Sequence, residues 1–291
     1  MNLREHRFNL SLFVAAFASM IWGFRLLIFT HAPDVFVAPE EDLSYGWYVP
    51  LFSLYVLWLE REKIVASFGK PSAAGLLLLI PSLLVGYVGA RGSQIRFEIA
   101  GFIGVLVALT LCIFGWKTAK QTLFPFLFLL FCIPLHSFLD VITIHLRLFA
   151  VGTAYELLRG LGVDVLRQGT MLASSTGSFS IDVADPCSGL RSLFAMLALT
   201  AGYSYFTQPT WLRRGALFAL AIPIAVLGNI VRIFSIVAVA ASCSPTFATG
   251  FYHDYSGYVV FLVSIFFMVA CGGLVTKIAE HKPSKSPPSA R

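Results

Sequence analysis

The chain has 291 residues, of which 57% are hydrophobic and only 12% charged, and its mean hydropathy is +0.80. Soluble domains carry about twice that charged fraction. The 21 Lys and Arg exceed the 15 Asp and Glu by six. They stand singly or in pairs between apolar runs, which argues against a nucleic-acid surface and fits the loop anchors of a membrane protein.

Most of the length is apolar runs long enough for a hydrocarbon core ~30 Å thick. The expected fold is therefore an all-α polytopic membrane protein of about eight transmembrane helices, in contact with membrane lipids. Residues 1–281 read as one transmembrane domain. Residues 282–291, rich in Pro, Ser and Lys, read as a disordered cytoplasmic tail.

The first run covers residues 8–30, behind the polar Arg4-Glu5-His6-Arg7 head. It is too long for the apolar region of a signal peptide and has no clear small-residue cleavage site, so it reads as an uncleaved first helix. Further spans are expected at 46–59, 73–90, 97–116, 122–139, 188–206, 215–241 and 255–276, the second of them short. Between the fifth and sixth, residues 141–158 carry His145, Arg147 and Glu156 among apolar neighbours, the mix of an amphipathic interfacial helix or a tilted partial span. Residues 163–166 and 179–183 alternate as strands do. Gly169 and Ser174-Ser175-Thr176-Gly177 supply turn chemistry between them, so a short extracytoplasmic β-hairpin is expected.

With the N-terminus inside and eight crossings, thirteen of the 21 Lys and Arg fall in the cytoplasm. Five fall outside (Arg91, Arg96, Arg147, Arg159 and Arg167), and Arg25, Arg191 and Arg232 lie within spans. The first outer loop is acidic, with Asp34, Glu40, Glu41 and Asp42. This asymmetry puts both termini in the cytoplasm.

Polar side chains in or at the edge of a bilayer are costly, which makes them functional candidates. Cys187 stands where the outer loop enters the sixth span, Arg232 in the outer half of the seventh, and His253 just before the eighth. All three thus fall toward the extracytoplasmic side. Asn229, three residues before Arg232, shares its helix face, and Arg191, four after Cys187, shares that of the cysteine.

These residue types suit acyl transfer. A thiol near a cation or a helix N-terminus becomes a strong nucleophile. An imidazole can protonate a leaving amine and later deprotonate an acceptor. A guanidinium can hold the developing oxyanion. Each also has a plainer reading. Cys187 and Cys243 both face the oxidising side and can pair, and His253 can be an interfacial hydrogen-bonder. Cys112, Cys132 and Cys271 read as packing residues. Arg191 either joins the site or ties down the hairpin, and whether Asp254 orients His253 stays open. His136, Asp140 and His145 lack further ligands at metal spacing, so neither a metal nor a cofactor is expected.

In these residues the chain resembles the exosortase/archaeosortase family of membrane transpeptidases. The resemblance rests on Cys187-Ser188-Gly189-Leu190-Arg191, then Asn229-Ile230-Val231-Arg232 one helix later, then His253 before the last span. The hairpin-like stretch before the cysteine and Phe131-Cys132-Ile133-Pro134-Leu135 extend it, while Asp185-Pro186 departs from the pattern. It implies a protease/transpeptidase of the cell membrane with its active site on the extracytoplasmic side. Substrates would be exported proteins ending in a short motif, a transmembrane helix and a basic cluster, and the acceptor a polysaccharide or a lipid. Cys187 would be the nucleophile, Arg232 the transition-state stabiliser and His253 the acid/base, with Ser188, Asn229, Arg191 and Asp254 in support. The main rival is a transporter or flippase in which Arg232 binds an anionic group. A scaffold with a Cys187–Cys243 disulfide is a second.

Overall fold

The computed structural model describes residues 3–38, 43–134, 136–183 and 190–280, with side chains described for 9, 11–38, 43–134, 142, 144–183 and 192–277. It is mostly helical and divides into two compact units, Met1–Phe138 and Leu139–Arg291.

The first unit opens with α1 (Leu3–Gly23), followed by a π-helical turn (Leu27–His31) and the short α2 (Ala32–Val37). The segments Ser11–Gly23 and Leu27–Val37 are bent 60° to one another. Pro33 sits at the start of α2. Its ring and missing N–H disturb the turn below it, and a widened turn relieves that clash. The expected straight span 8–30 is therefore broken. A 3₁₀ turn (Ser44–Trp47), α3 (Tyr48–Leu59) and the short α4 (Arg61–Ala66) follow.

Next come α5 (Ala74–Arg91) and α6 (Ile95–Phe128), packed antiparallel, with Gly75 against Cys112, Gly86 against Gly101 and Gly89 against Glu98. Only Gly75, Ser82, Gly86 and Gly89 of α5 are buried, while Leu77, Ile80, Leu84 and Val88 point outward. That inverts the pattern of a soluble helix. In lipid, large apolar side chains gain nothing by turning inward, whereas small ones let backbones approach. A Cβ on Gly101 would lie 2.5 Å from the Gly86 backbone, which shows how close that approach is.

Gly115 interrupts α6 at φ 79°, ψ −175°. The carbonyls of Leu111 and Phe114, left open at the end of the first limb, accept the N–H groups of Ser72 and Gly69. The second limb packs beside α3, with Phe52 and Phe128 rings 4.5 Å apart and Gln121 donating to Glu60. The separate spans expected at 97–116 and 122–139 are thus consecutive limbs of one helical run, and the expected linker between them is itself helical. The second limb also ends earlier than expected, in a 3₁₀ turn at Leu129–Cys132. Pro134 holds Ile133 extended (φ −77°, ψ 123°), which stops the helix.

In the second unit, α7 (His136–Gly160) covers the expected interfacial segment and extends it at both ends. A three-stranded antiparallel meander follows in place of a two-stranded hairpin: β1 (Leu166–Gln168), β2 (Met171–Ala173) and β3 (Ser180–Asp182), in the order β1-β2-β3. Residues 163–165 stay out of the ladder. Asp164 instead accepts hydrogen bonds from Ser174 Oγ, Ser175 N and Ser175 Oγ. Arg167 donates to the carbonyls of Leu148 and Gly169, tying the sheet to α7.

Then come α8 (Leu190–Thr207), α9 (Trp211–Ser242), the single turn α10 (Pro245–Phe247), a π-helical segment (Ala248–Tyr252) and α11 (His253–Glu280). Thr210 and Ser244 cap α9 and α10 through their hydroxyls. One core joins Val151, Ala154 and Leu158 of α7, Leu172 and Ile181 of the sheet, and Ile233, Ile236 and Val237 of α9. A smaller cluster joins Met196 of α8, Ala221 and Ala225 of α9 and Met268 of α11.

Among the described residues, four helices are long and apolar enough to cross a membrane, or five if the bent N-terminal pair is one span. The expected eight are not reached by helix length. The 12 residues of α3 rise only ~18 Å, and the run Ile95–Cys132 counts as one despite its break at Gly115.

Candidate active site

Asn229 and Arg232 stand one turn apart on α9, where it meets α8 and α11. With Ser192 and Met196 of α8, and Gly257, Phe261 and Ser264 of α11, they line a cavity of about 30 Å³. The helices meet closely because the facing residues are small. A Cβ on Gly228 would lie 2.8 Å from Ser264 Oγ and 3.2 Å from a Val260 methyl.

The Arg232 side chain crosses this contact toward the start of α11. Its Nη2 donates to the His253 carbonyl at 3.3 Å, an oxygen that also accepts from Ser256 Oγ at 3.1 Å. The guanidinium passes over Gly257, where a Cβ would lie 3.1 Å from Cζ. Nε is buried without a hydrogen-bond partner among the described residues. Among the described residues Arg147 Nε is in the same state, whereas buried polar groups are nearly always paired. Asn229 is itself 9% exposed.

His253 is the first residue of α11, directly after the π-helical segment, which contains Gly250 in a non-helical conformation. Its Nδ1 lies 3.3 Å from Asp254 Oδ1, and the imidazole is 16% exposed against 73% for the carboxylate. Asp254 is thus placed to bias the ring orientation. The contact is long, and the carboxylate is well solvated.

Of the sequence-identified residues, the structure brings together Arg232, Asn229, His253 and Asp254. Cys187 and Ser188, like the preceding Asp185-Pro186, lie outside the described residues. Arg191 belongs to α8, but its side chain is not among those described. Cys243, the partner weighed for a disulfide with Cys187, is an exposed free thiol at the end of α9. Cys132 is buried, and Cys112 and Cys271 are half-buried. Among the described residues, no cluster of His, Cys, Asp and Glu has the geometry to hold a metal ion.

Two features escaped the sequence reading. Gly257 is one, although its position four residues after His253 places it on the same helix face. The other lies in the first unit. There His31 Nδ1 is 3.0 Å from both carboxylate oxygens of Glu98, a residue only 2% exposed. The pair borders a cavity of about 370 Å³ that Asp34, Ser93, Gln94 and Arg96 also line. A carboxylate inside an otherwise apolar expected span was the available signal.

Helices that turn many large apolar residues outward, with an arginine of one helix bonded to the main chain of a histidine at the start of another, define a polytopic membrane protein with a polar site between helices. Residues 37–270 match the family pattern described as transmembrane exosortase (Exosortase_EpsH). The chain belongs to the transmembrane exosortase family. No curated protein and no solved structure matches it.

Proposed function

We propose that this chain is a cysteine-type protease/transpeptidase of the cell membrane that processes the C-terminal sorting signals of exported proteins. The observation that carries the reading is the hydrogen bond from the Arg232 guanidinium to the His253 backbone carbonyl, which puts the arginine at the first turn of α11, where the histidine stands. These are two of the three positions at which the family resemblance places catalytic groups. The proposed topology is the one the charge asymmetry favours: eight crossings, both termini cytoplasmic, and the site facing outward.

In the proposed reaction the Cys187 thiolate attacks the scissile carbonyl carbon, and Arg232 N–H groups stabilise the negative charge on its oxygen. The C–N bond breaks, His253 gives its proton to the departing amine, and a thioester to Cys187 remains. An acceptor nucleophile, or water, then attacks the thioester and yields its proton to His253. The thiolate leaves and the cycle closes. The substrate helix docks laterally, the acceptor is a polysaccharide or a lipid, and the chemistry draws on no cofactor.

The test is processing of a tagged exported protein with such a C-terminal signal in cells carrying single variants. Cys187→Ala should abolish cleavage. Arg232→Ala should slow it by about 10²–10³, the usual loss of an oxyanion donor, and His253→Ala by about 10²–10⁴. Undiminished cleavage by the Cys187 variant refutes the mechanism. A phenotype from Arg232→Ala with none from Cys187→Ala supports transport of an anionic substrate instead.

A further inference from the structure

We propose that Gly257 is a positioning residue: by carrying no side chain it fixes where the Arg232 guanidinium lies. The proposal rests on the reading of Arg232 as the group that meets developing negative charge.

The geometry is specific to that side chain. A Cβ at Gly257 would lie 3.1 Å from Arg232 Cζ, 3.2 Å from Nη2 and 3.4 Å from Nε, so three atoms of the guanidinium face the bare backbone. One turn earlier on α11, the His253 carbonyl accepts from Nη2 at 3.3 Å, already near the upper limit for such a bond. Nε is buried with no hydrogen-bond partner among the described residues. Among the described residues, then, the guanidinium has one hydrogen bond to α11 and three atoms against Gly257, and this contact with α11 sets its place.

A methyl at position 257 meets the far end of a flexible side chain, not another backbone. The helices therefore keep their packing and the guanidinium gives way, by a few tenths of an ångström, toward the neighbouring cavity. That shift takes Nη2 out of reach of the His253 carbonyl. Misplacing a catalytic group by about 1 Å costs on the order of 100-fold, so the smaller shift should cost on the order of 10-fold. Alanine is also the better helix former, so fold stability should hold or rise while the reaction slows.

The experiment uses the full chain and the tagged substrate of the preceding test, with thermal unfolding of the detergent-purified protein as a second readout. Gly257→Ala should slow processing on the order of 10-fold at an unchanged or higher Tm. Added to Arg232→Lys, which has no planar guanidinium to displace, it should slow processing less than about twofold further. Wild-type processing by Gly257→Ala overturns the proposal. So does a loss of processing with a lowered Tm, which would make Gly257 a packing residue, or an equal cost in both backgrounds. If Arg232→Ala itself processes normally, the catalytic reading of the arginine fails instead. The contact is then judged by Tm alone. Gly257→Ala should be better tolerated by about 2 °C or more in the Arg232→Ala background than in wild type, and an equal shift in both overturns it.

Discussion

Arginine does several distinct jobs in this chain, and the surroundings of each guanidinium decide which. Arg25 and Arg61 fold back over the Trp three residues earlier, with ring distances of 4.9 and 4.8 Å, and donate to that residue's carbonyl. Arg214 lies over Trp211 and Tyr205. Such pairs are exposed or half-buried and amphipathic, as anchors at a membrane–water boundary need to be. Arg167 and Arg232 instead run across a glycine of a neighbouring helix, Gly152 and Gly257, to reach a backbone carbonyl. Among carboxylates, Asp164 has the most specific task. Hydrogen bonds from the Ser175 hydroxyl, then Ser174 Oγ and the backbone N–H groups of the turn, hold it below the ordinary carboxylate range despite partial desolvation. A depressed folded value means that the stabilisation is complete above the unfolded value of about 4. It is lost as the pH falls through the folded value. Amide protection in β2 and β3, measured against the unstructured exchange rate at each pH, should therefore fall below about pH 4. In Asp164→Ala protection should be low already at neutral pH, with no further acid step. An identical acid step in the variant would remove Asp164 from this role.

Among the helical elements, functional and structural breaks fall at residues that relax or restrict the backbone. Both π-helical segments adjoin a histidine: Leu27–His31 ends on His31, and Ala248–Tyr252 leads into His253. An extra residue in the turn re-aims the side chains beyond it. In the first unit this sets His31 against Glu98, whose place in the first turn of α6 also suits the helix dipole. Gly115 is the sharper case. It combines a positive φ with a position directly against the Lys70 carbonyl. Gly115→Ala should therefore lower the Tm of the purified protein by roughly 2–12 °C, from a strain of about 1–3 kcal/mol. Gly273→Ala is the control. It lies within α11, about two turns from its end, with open space around its Cβ position, and should be neutral or stabilising. Equal Tm values for the two variants would show that the α6 break is not fixed by Gly115.

On the scale of the whole molecule, each unit has a buried core in which small residues let helices approach, while many large apolar side chains remain outside. Two thirds of the most apolar 18-residue stretch of Ile95–Cys132 is buried, against 22% of α5. The exposed apolar surface of α11, with Tyr258, Val259, Leu262 and Phe266, follows the same rule. The proposed orientation has a direct check, because Cys243 is an exposed thiol at the end of α9 that nears the outer face in that topology. In a Cys187→Ala background, which removes the other proposed outer thiol, a membrane-impermeant maleimide should label it in right-side-out vesicles, and Cys243→Ser should remove that label. Labelling only in inside-out vesicles would invert the topology and place the Arg232–His253 pair on the cytoplasmic side.

The sequence by itself determined that this is a membrane protein and roughly where its helices lie. The expected spans 73–90, 188–206, 215–241 and 255–276 match α5, α8, α9 and α11 within a few residues at each end. Apolar runs bounded by charge are a local property, and the lipid environment forces such runs to satisfy their backbone groups as helices. The order of Arg232 and His253 along the chain was equally legible.

Tertiary structure alone decided what is made by contact between distant segments. The end of the first α6 limb depends on N–H groups from residues 69 and 72, and the third strand depends on Asp164 holding residues 174–175. The place of the Arg232 guanidinium depends on a missing side chain 25 positions away, at Gly257. A glycine written in a sequence does not say which neighbour will occupy the space it leaves.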